Sequence, residues 1–166
     1  LAQKIQQSSE ALEGRTLSEA LFDAAALDCA DIASDMLARG ASYRARNARG
    51  ASALSMAAGK GSRDVIRILL AAGADLHHRD LDGATPILIA SKNGRRRTVD
   101  LLLEAGADPD QGDDQGVTPL MAAAFNGDLR LLEVLLNAGV EIDAQDRTGK
   151  VALIYAAGRA FPEVVD

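Results

Sequence analysis

Few side chains in this 166-residue chain are equipped for chemistry, and their spacing argues against most of it. The only histidines, His77 and His78, are adjacent. Neighbouring side chains on an extended segment point to opposite sides. A shared metal would need further ligands, and only Asp75 and Asp80 are close in sequence, so no metal site is expected. The single cysteine, Cys29, excludes an internal disulfide and a cysteine-rich zinc site. It has no histidine near it in sequence to activate it, and a small buried or half-buried apolar role is expected. Asp110, Asp113 and Asp114 lie among glycines without the regular oxygen spacing of a calcium loop, and read as a solvated turn. Gly112 and Gly116 match neither nucleotide-binding fingerprint. No catalytic constellation and no cofactor follow, so the chain reads as non-enzymatic. Arg95, Arg96 and Arg97 form a basic spot that suits a phosphate or an acidic peptide; the alternative is a solvated loop. Cations at the start of a helix oppose its dipole, so the placement costs stability, and Asp100 one turn on offsets part of it.

Composition narrows the classes further. The apolar fraction is 48%, ordinary for a folded chain and too high for disorder. The formal charge is −6 and aromatics are 3%, which argues against nucleic acid on both electrostatic and stacking grounds. Apolar runs such as Ala24–Leu27 and Leu101–Leu103 are far too short to span a bilayer, so no membrane insertion is expected. The low cysteine count fits a reducing compartment such as the cytoplasm without demanding one. No signal stretch is visible. The chain starts at Leu1 rather than Met, so a longer native chain is expected.

What positions these residues is a repeat. Gly40, Gly73, Gly106 and Gly139 recur every 33 residues. Leu21, Leu54, Ile87, Leu120 and Leu153 keep the same spacing, as do Ala25, Ala58, Ser91, Ala124 and Ala157, and Asn47, Asp80, Asp113 and Asp146. In the unit from Asp80 to Asp108, Asp80 and Gly83 suit the first and fourth positions of a tight turn. Thr85 can cap the next helix, and Pro86 at its first position loses no needed N–H. Ile87, Leu88, Ala90 and Ser91 predict a short first helix that ends at Gly94, as Gly61 and Gly127 end theirs. Val99, Leu102 and Leu103 then follow at helical spacing to Gly106. Such a helix pair cannot bury its apolar face alone, so stacked copies form a quasi-one-dimensional solenoid.

The segments DLDGATPILIASKNGRRRTVDLLLEAGAD and DDQGVTPLMAAAFNGDLRLLEVLLNAGVE closely resemble the ankyrin repeat. The resemblance covers about residues 17–166 and recurs in every unit. It implies an all-α ankyrin-repeat solenoid of stacked helix-turn-helix units with β-turn or hairpin loops. Five units can be placed, at about residues 15–47, 48–80, 81–113, 114–146 and 147–166. The first is degenerate, with Thr16 and Glu19 as a capping box and Asp35 in place of a leucine. The last has Val151-Ala152 where Thr-Pro would stand and stops inside its expected second helix, leaving Val164 and Val165 uncovered. Residues 1–16 are either a tail or an extra helix carrying Leu1, Ile5, Ser8 and Leu12.

The resemblance also implies a binding face, made of turn tips and the exposed side of the first helices. In register, it holds Arg46, Arg49 and Lys60 from the second unit, and Arg79, Leu81 and Lys92 from the third. Val117 and Phe125 come from the fourth, and Arg147, Lys150 and Arg159 from the fifth. Eight of the chain's 18 basic residues but only two of its 24 acidic ones, Asp82 and Asp114, occupy these rows. A positive row on a negative chain predicts an acidic or mixed protein partner, with Leu81, Val117 and above all Phe125 as apolar anchors. The function implied is that of an adaptor, inhibitor or scaffold. The alternative is a structural or targeting segment of a longer multidomain protein whose activity lies elsewhere. A monomer is expected, with the C-terminal repeat edge open to self-association. His77 occupies the position that animal asparaginyl hydroxylases modify in such repeats, with Leu69 eight residues before it; the alternative is a residue that braces the loop.

Overall fold

A computed structural model describes residues 16–158. Within them the chain forms nine helices and no strand. The first, α1, occupies 16–27. Then come α2 (Ala30–Ala38), α3 (Ala53–Lys60), α4 (Arg63–Ala71) and α5 (Pro86–Lys92). α6 (Arg96–Glu104), α7 (Pro119–Asn126), α8 (Leu129–Asn137) and α9 (Ala152–Gly158) complete the set. Residues 1–15, Arg159, Val164 and Val165 lie outside the described residues. Thr16, expected as a cap, is the first described residue and is already helical.

Each repeat is built by local rules. Asp80 closes its turn by accepting from the amides of Asp82 and Ala84 at 3.0 and 2.8 Å. Asn47, Asp113 and Asp146 do the same in their units. The Thr85 and Thr118 hydroxyls cap α5 and α7 by accepting from Leu88 and Met121, and Pro86 and Pro119 occupy the first helical turn. The second helices close through Gly73 and Gly106, whose amides bond the carbonyls of Leu70 and Leu103.

The first helices pack in a row, α3 on α5, α5 on α7 and α7 on α9. Ala57, Ala58, Ala90, Ala123, Ala124 and Ala156 are fully or almost fully buried there, and their small side chains allow the close approach. On the other layer α2 meets α4 and α6 meets α8, while α4 and α6 approach each other less closely. The core is the period made solid. Leu21, Leu54, Ile87 and Leu120 are buried, as are Val65, Ile66 and Leu69 of α4, Val99 and Leu102 of α6, and Leu131 and Leu135 of α8. Each such side chain contributes about 2 kcal/mol of apolar burial. The fifth position of the series, Leu153, is 51% exposed at the end of the described stack, beside exposed Leu136, Ile142 and Ile154. That edge is where the expected self-association surface lies.

A backbone ladder ties the turns together. The amides of Leu81, Asp114 and Arg147 donate to the carbonyls of Arg49, Asp82 and Gln115 at 3.1, 3.0 and 2.8 Å. Each rung joins one turn to the next, and the rungs recur at the 33-residue period. Gly116 makes the approach possible: its φ is +79°, and a Cβ there would sit 3.0 Å from the Asp146 Cα. The ladder lines up the turn tips that the sequence assigned to the binding face.

Candidate partner-binding surface

The ladder carries Arg49, Leu81 and Arg147 on its rungs, all exposed, with Leu81 at 73%. Arg46 is exposed and donates to the Arg44 and Ala45 carbonyls. Among the described residues, Arg46, Arg49, Lys60, Arg147 and Lys150 make no ion pair.

Arg79 and Lys92 are committed differently. The Arg79 guanidinium donates to the Gly112 carbonyl at 2.9 Å and to the Asp114 carboxylate at 3.0 Å, bridging to the next repeat's turn. The Lys92 ammonium donates to Asp113 at 2.7 Å. Part of the positive row is therefore neutralised by acids of the following unit. Asp113 is not a member of a solvated acidic turn: its side chain is 7% exposed. Burial pulls its carboxyl upward, but the Lys92 hydrogen bond and charge and the amides of Val117 and Gln115 outweigh that and hold it below the usual value.

Of the three expected apolar anchors, Val117 and Phe125 come together at the fourth unit, while Leu81 lies apart, against Gly50. Val117, Met121, Ala122, Phe125 and Tyr155 line a cleft of about 350 Å3, with Lys92 and Asn126 at its rim. Phe125 is 45% exposed and meets Tyr155 edge to face. The position equivalent to Phe125 in the next unit is Gly158, where an added Cβ would meet nothing within 4 Å among the described residues. Asn126 fixes the neighbouring helix end by donating to the Ser91 and Lys92 carbonyls.

Tyr155 is the residue that sequence reasoning missed. Its hydroxyl donates to the Asp146 carboxylate at 2.5 Å, and the Lys150 ammonium lies 5.9 Å from its ring centroid. That hydrogen bond, with the Lys150 amide and the Thr148 hydroxyl and amide, outweighs burial and holds Asp146 far below the usual carboxylate range. The same bond, burial and the charges of Asp146 and Asp113 push the Tyr155 phenol up to about 12. The available signal was a large side chain at a position filled by Met56, Ile89 and Ala122 in earlier units.

The residues with other expected chemistry lie apart. His77 is exposed, its amide bonded to Asp75. His78 is not simply solvated: it is half-buried, with Nε2 2.7 Å from the Gly50 carbonyl, and so ties its loop to the preceding turn. Cys29 is half-buried at the start of α2, its thiol 3.7 Å from the Leu27 carbonyl. Among the described residues no group of three or more His, Cys, Asp or Glu side chains is placed to hold a metal. Arg95, Arg96 and Arg97 stand at the start of α6, away from Phe125, and no ion pair joins them to Asp100 among the described residues.

A family model for ankyrin repeats, three copies long, matches residues 21–113 and 99–166. The chain belongs to the ankyrin-repeat family. It matches no curated protein. Ankyrin repeats are generally protein-interaction modules and typically non-enzymatic. No helix among the described residues is long and apolar enough to cross a membrane.

Proposed function

We propose that this ankyrin stack binds an acidic segment of a partner protein, as an adaptor, inhibitor or scaffold. One apolar side chain of that segment enters the cleft at Phe125 and Tyr155, and flanking carboxylates meet Lys150, Arg147 and the turn-tip arginines. The observation that carries this reading is an open apolar cleft with lysines beside it, on a chain of net charge −6. A chain of that charge gains nothing for solubility from gathering cations around an exposed ring. A pocket that excludes water around an aromatic anchor is where interface energy concentrates, and single-sign charge beside it selects and steers the opposite sign. Arg46, Arg49, Lys60, Arg147 and Lys150 act as the attracting row; Arg159 belongs to it by register. Arg79 and Lys92 hold the turns in place, and Leu81 and Val117 extend the apolar contact.

Selection of a random peptide display library on the immobilised protein tests this. Enrichment of sequences with an aromatic or aliphatic residue flanked by Asp or Glu is expected, and it should vanish on the Phe125→Ala protein. Enrichment of basic sequences, or enrichment indifferent to Phe125→Ala, would overturn it.

A further inference from the structure

We infer that a second site, apart from the Phe125 cleft and sharing only Lys60 with the attracting row, takes the phosphoryl group of a phosphorylated protein segment. Lys60, Arg63, Arg95, Arg96 and Arg97 line a cleft of about 390 Å3 between the α3–α4 and α5–α6 turns, with Gly61, Gly94 and Thr98 completing its wall. None of the lining residues is acidic. Among the described residues, none of these five cations makes an ion pair. Asp64, beside Arg63 in sequence, pairs with Arg67 at 2.8 Å, and Asp128 caps α8 by accepting from Leu131 while its other oxygen lies near the Gly94 wall.

The cleft is shaped as well as charged. The Arg95 Nε donates to the Gly59 carbonyl at 3.1 Å, which lays its stem across the preceding repeat. A Cβ at Gly61 would sit 3.2 Å from the Arg95 Cδ, so glycine leaves room for that stem. Arg95 stands at the cap position of α6 without a side-chain cap, as Cys29 and Ser62 do for α2 and α4, so its side chain is not spent on the helix end.

A phosphoryl group fits this arrangement better than a carboxylate. It carries close to two charges and three acceptor oxygens, enough for several guanidinium forks at once. A protein-borne phosphate is favoured over a membrane headgroup because the site is concave and the net charge of −6 opposes an anionic surface.

Amide chemical-shift titration of the chain tests this with inorganic phosphate, with a phosphoserine peptide and with the same peptide unphosphorylated. Saturable shifts at Arg63 and Arg96–Thr98 are expected for the first two, tighter for the phosphopeptide, and none for the third. An Arg63→Ala/Arg97→Ala protein should lose on the order of tenfold in affinity with its unfolding midpoint kept, whereas Phe125→Ala should bind phosphate unchanged. Shifts equal to those from chloride at matched ionic strength, or tighter binding to phosphoinositide vesicles than to the phosphopeptide, would overturn the inference.

Discussion

Phe125 and Tyr155 meet edge to face across two repeats, their ring centroids 6.3 Å apart and their planes at 76°. Phe125 has almost half of its surface in water, while Tyr155 is half-buried and anchored to Asp146. Tyr155 is held by its bond to Asp146, and Phe125 lines the cleft with its exposed side. Phe125→Ala should cost the fold about 1 kcal/mol through loss of the ring pair. It should weaken a selected acidic peptide by more than tenfold, as loss of an anchor worth about 2 kcal/mol does. Thermal unfolding and titration calorimetry on the same variant separate the two effects.

The Asp146–Tyr155 bond makes stability depend on pH at both ends. The folded Asp146 carboxyl is held below its ordinary value of 3.8, so its contribution is complete above that value and is lost as the pH falls further. The Tyr155 phenol moves the other way, from 10.0 to about 12, so its contribution is complete below 10.0 and is lost as the pH rises to about 12. Denaturant melts should show both limbs, and Tyr155→Phe should flatten the alkaline limb and weaken the acid one. An unchanged profile would mean that the bond does not form.

Asp113 and Lys92 share one ion pair but should respond unequally to mutation. The Lys92 side chain is 42% exposed, and such pairs contribute only about 0–1 kcal/mol. Asp113 is nearly buried and also accepts from the amides of Gln115 and Val117. Its loss orphans both amides, and Asp113→Ala should cost about 2 kcal/mol. Equal shifts for the two variants in denaturant titrations would contradict this division of roles.

How much was legible in the sequence follows from which interactions are local. Asp80, Gly83, Thr85 and Pro86 act within a few residues of themselves, and the period carried their roles into each unit. The exposed turn tips that carry Arg49, Leu81 and Arg147 were legible for the same reason, since each ladder rung recurs with the period. What escaped was the partner of a long side chain. Arg79 reaches Gly112 and Asp114 in the next turn, and Lys92 reaches Asp113 rather than solvent. Register gives the row a side chain leaves from, not the neighbour it finds. Tyr155 escaped because the earlier units fill its position with Met56, Ile89 and Ala122. Of these only the Met56 side chain reaches back to its turn residue, Asn47, at 3.6 Å, so the period did not point to a phenol bonded to Asp146.

The missing cap of the last unit gives a further expectation. α9 begins after Val151, which has no side-chain oxygen to offer, whereas α5 and α7 are capped by Thr85 and Thr118. Val151→Thr should raise stability by about 1 kcal/mol, and Thr118→Ala should lower it by a similar amount. Urea titration of both variants checks the pair.

Amide chemical-shift mapping of a display-selected acidic peptide on the intact chain tests the binding face most directly. Shifts centred on Val117, Met121, Phe125 and Tyr155, spreading to Arg147 and Lys150 and shrinking with added salt, are the expected result. Shifts centred on the opposite layer, at α4, α6 and α8, with Phe125 unmoved, would contradict it.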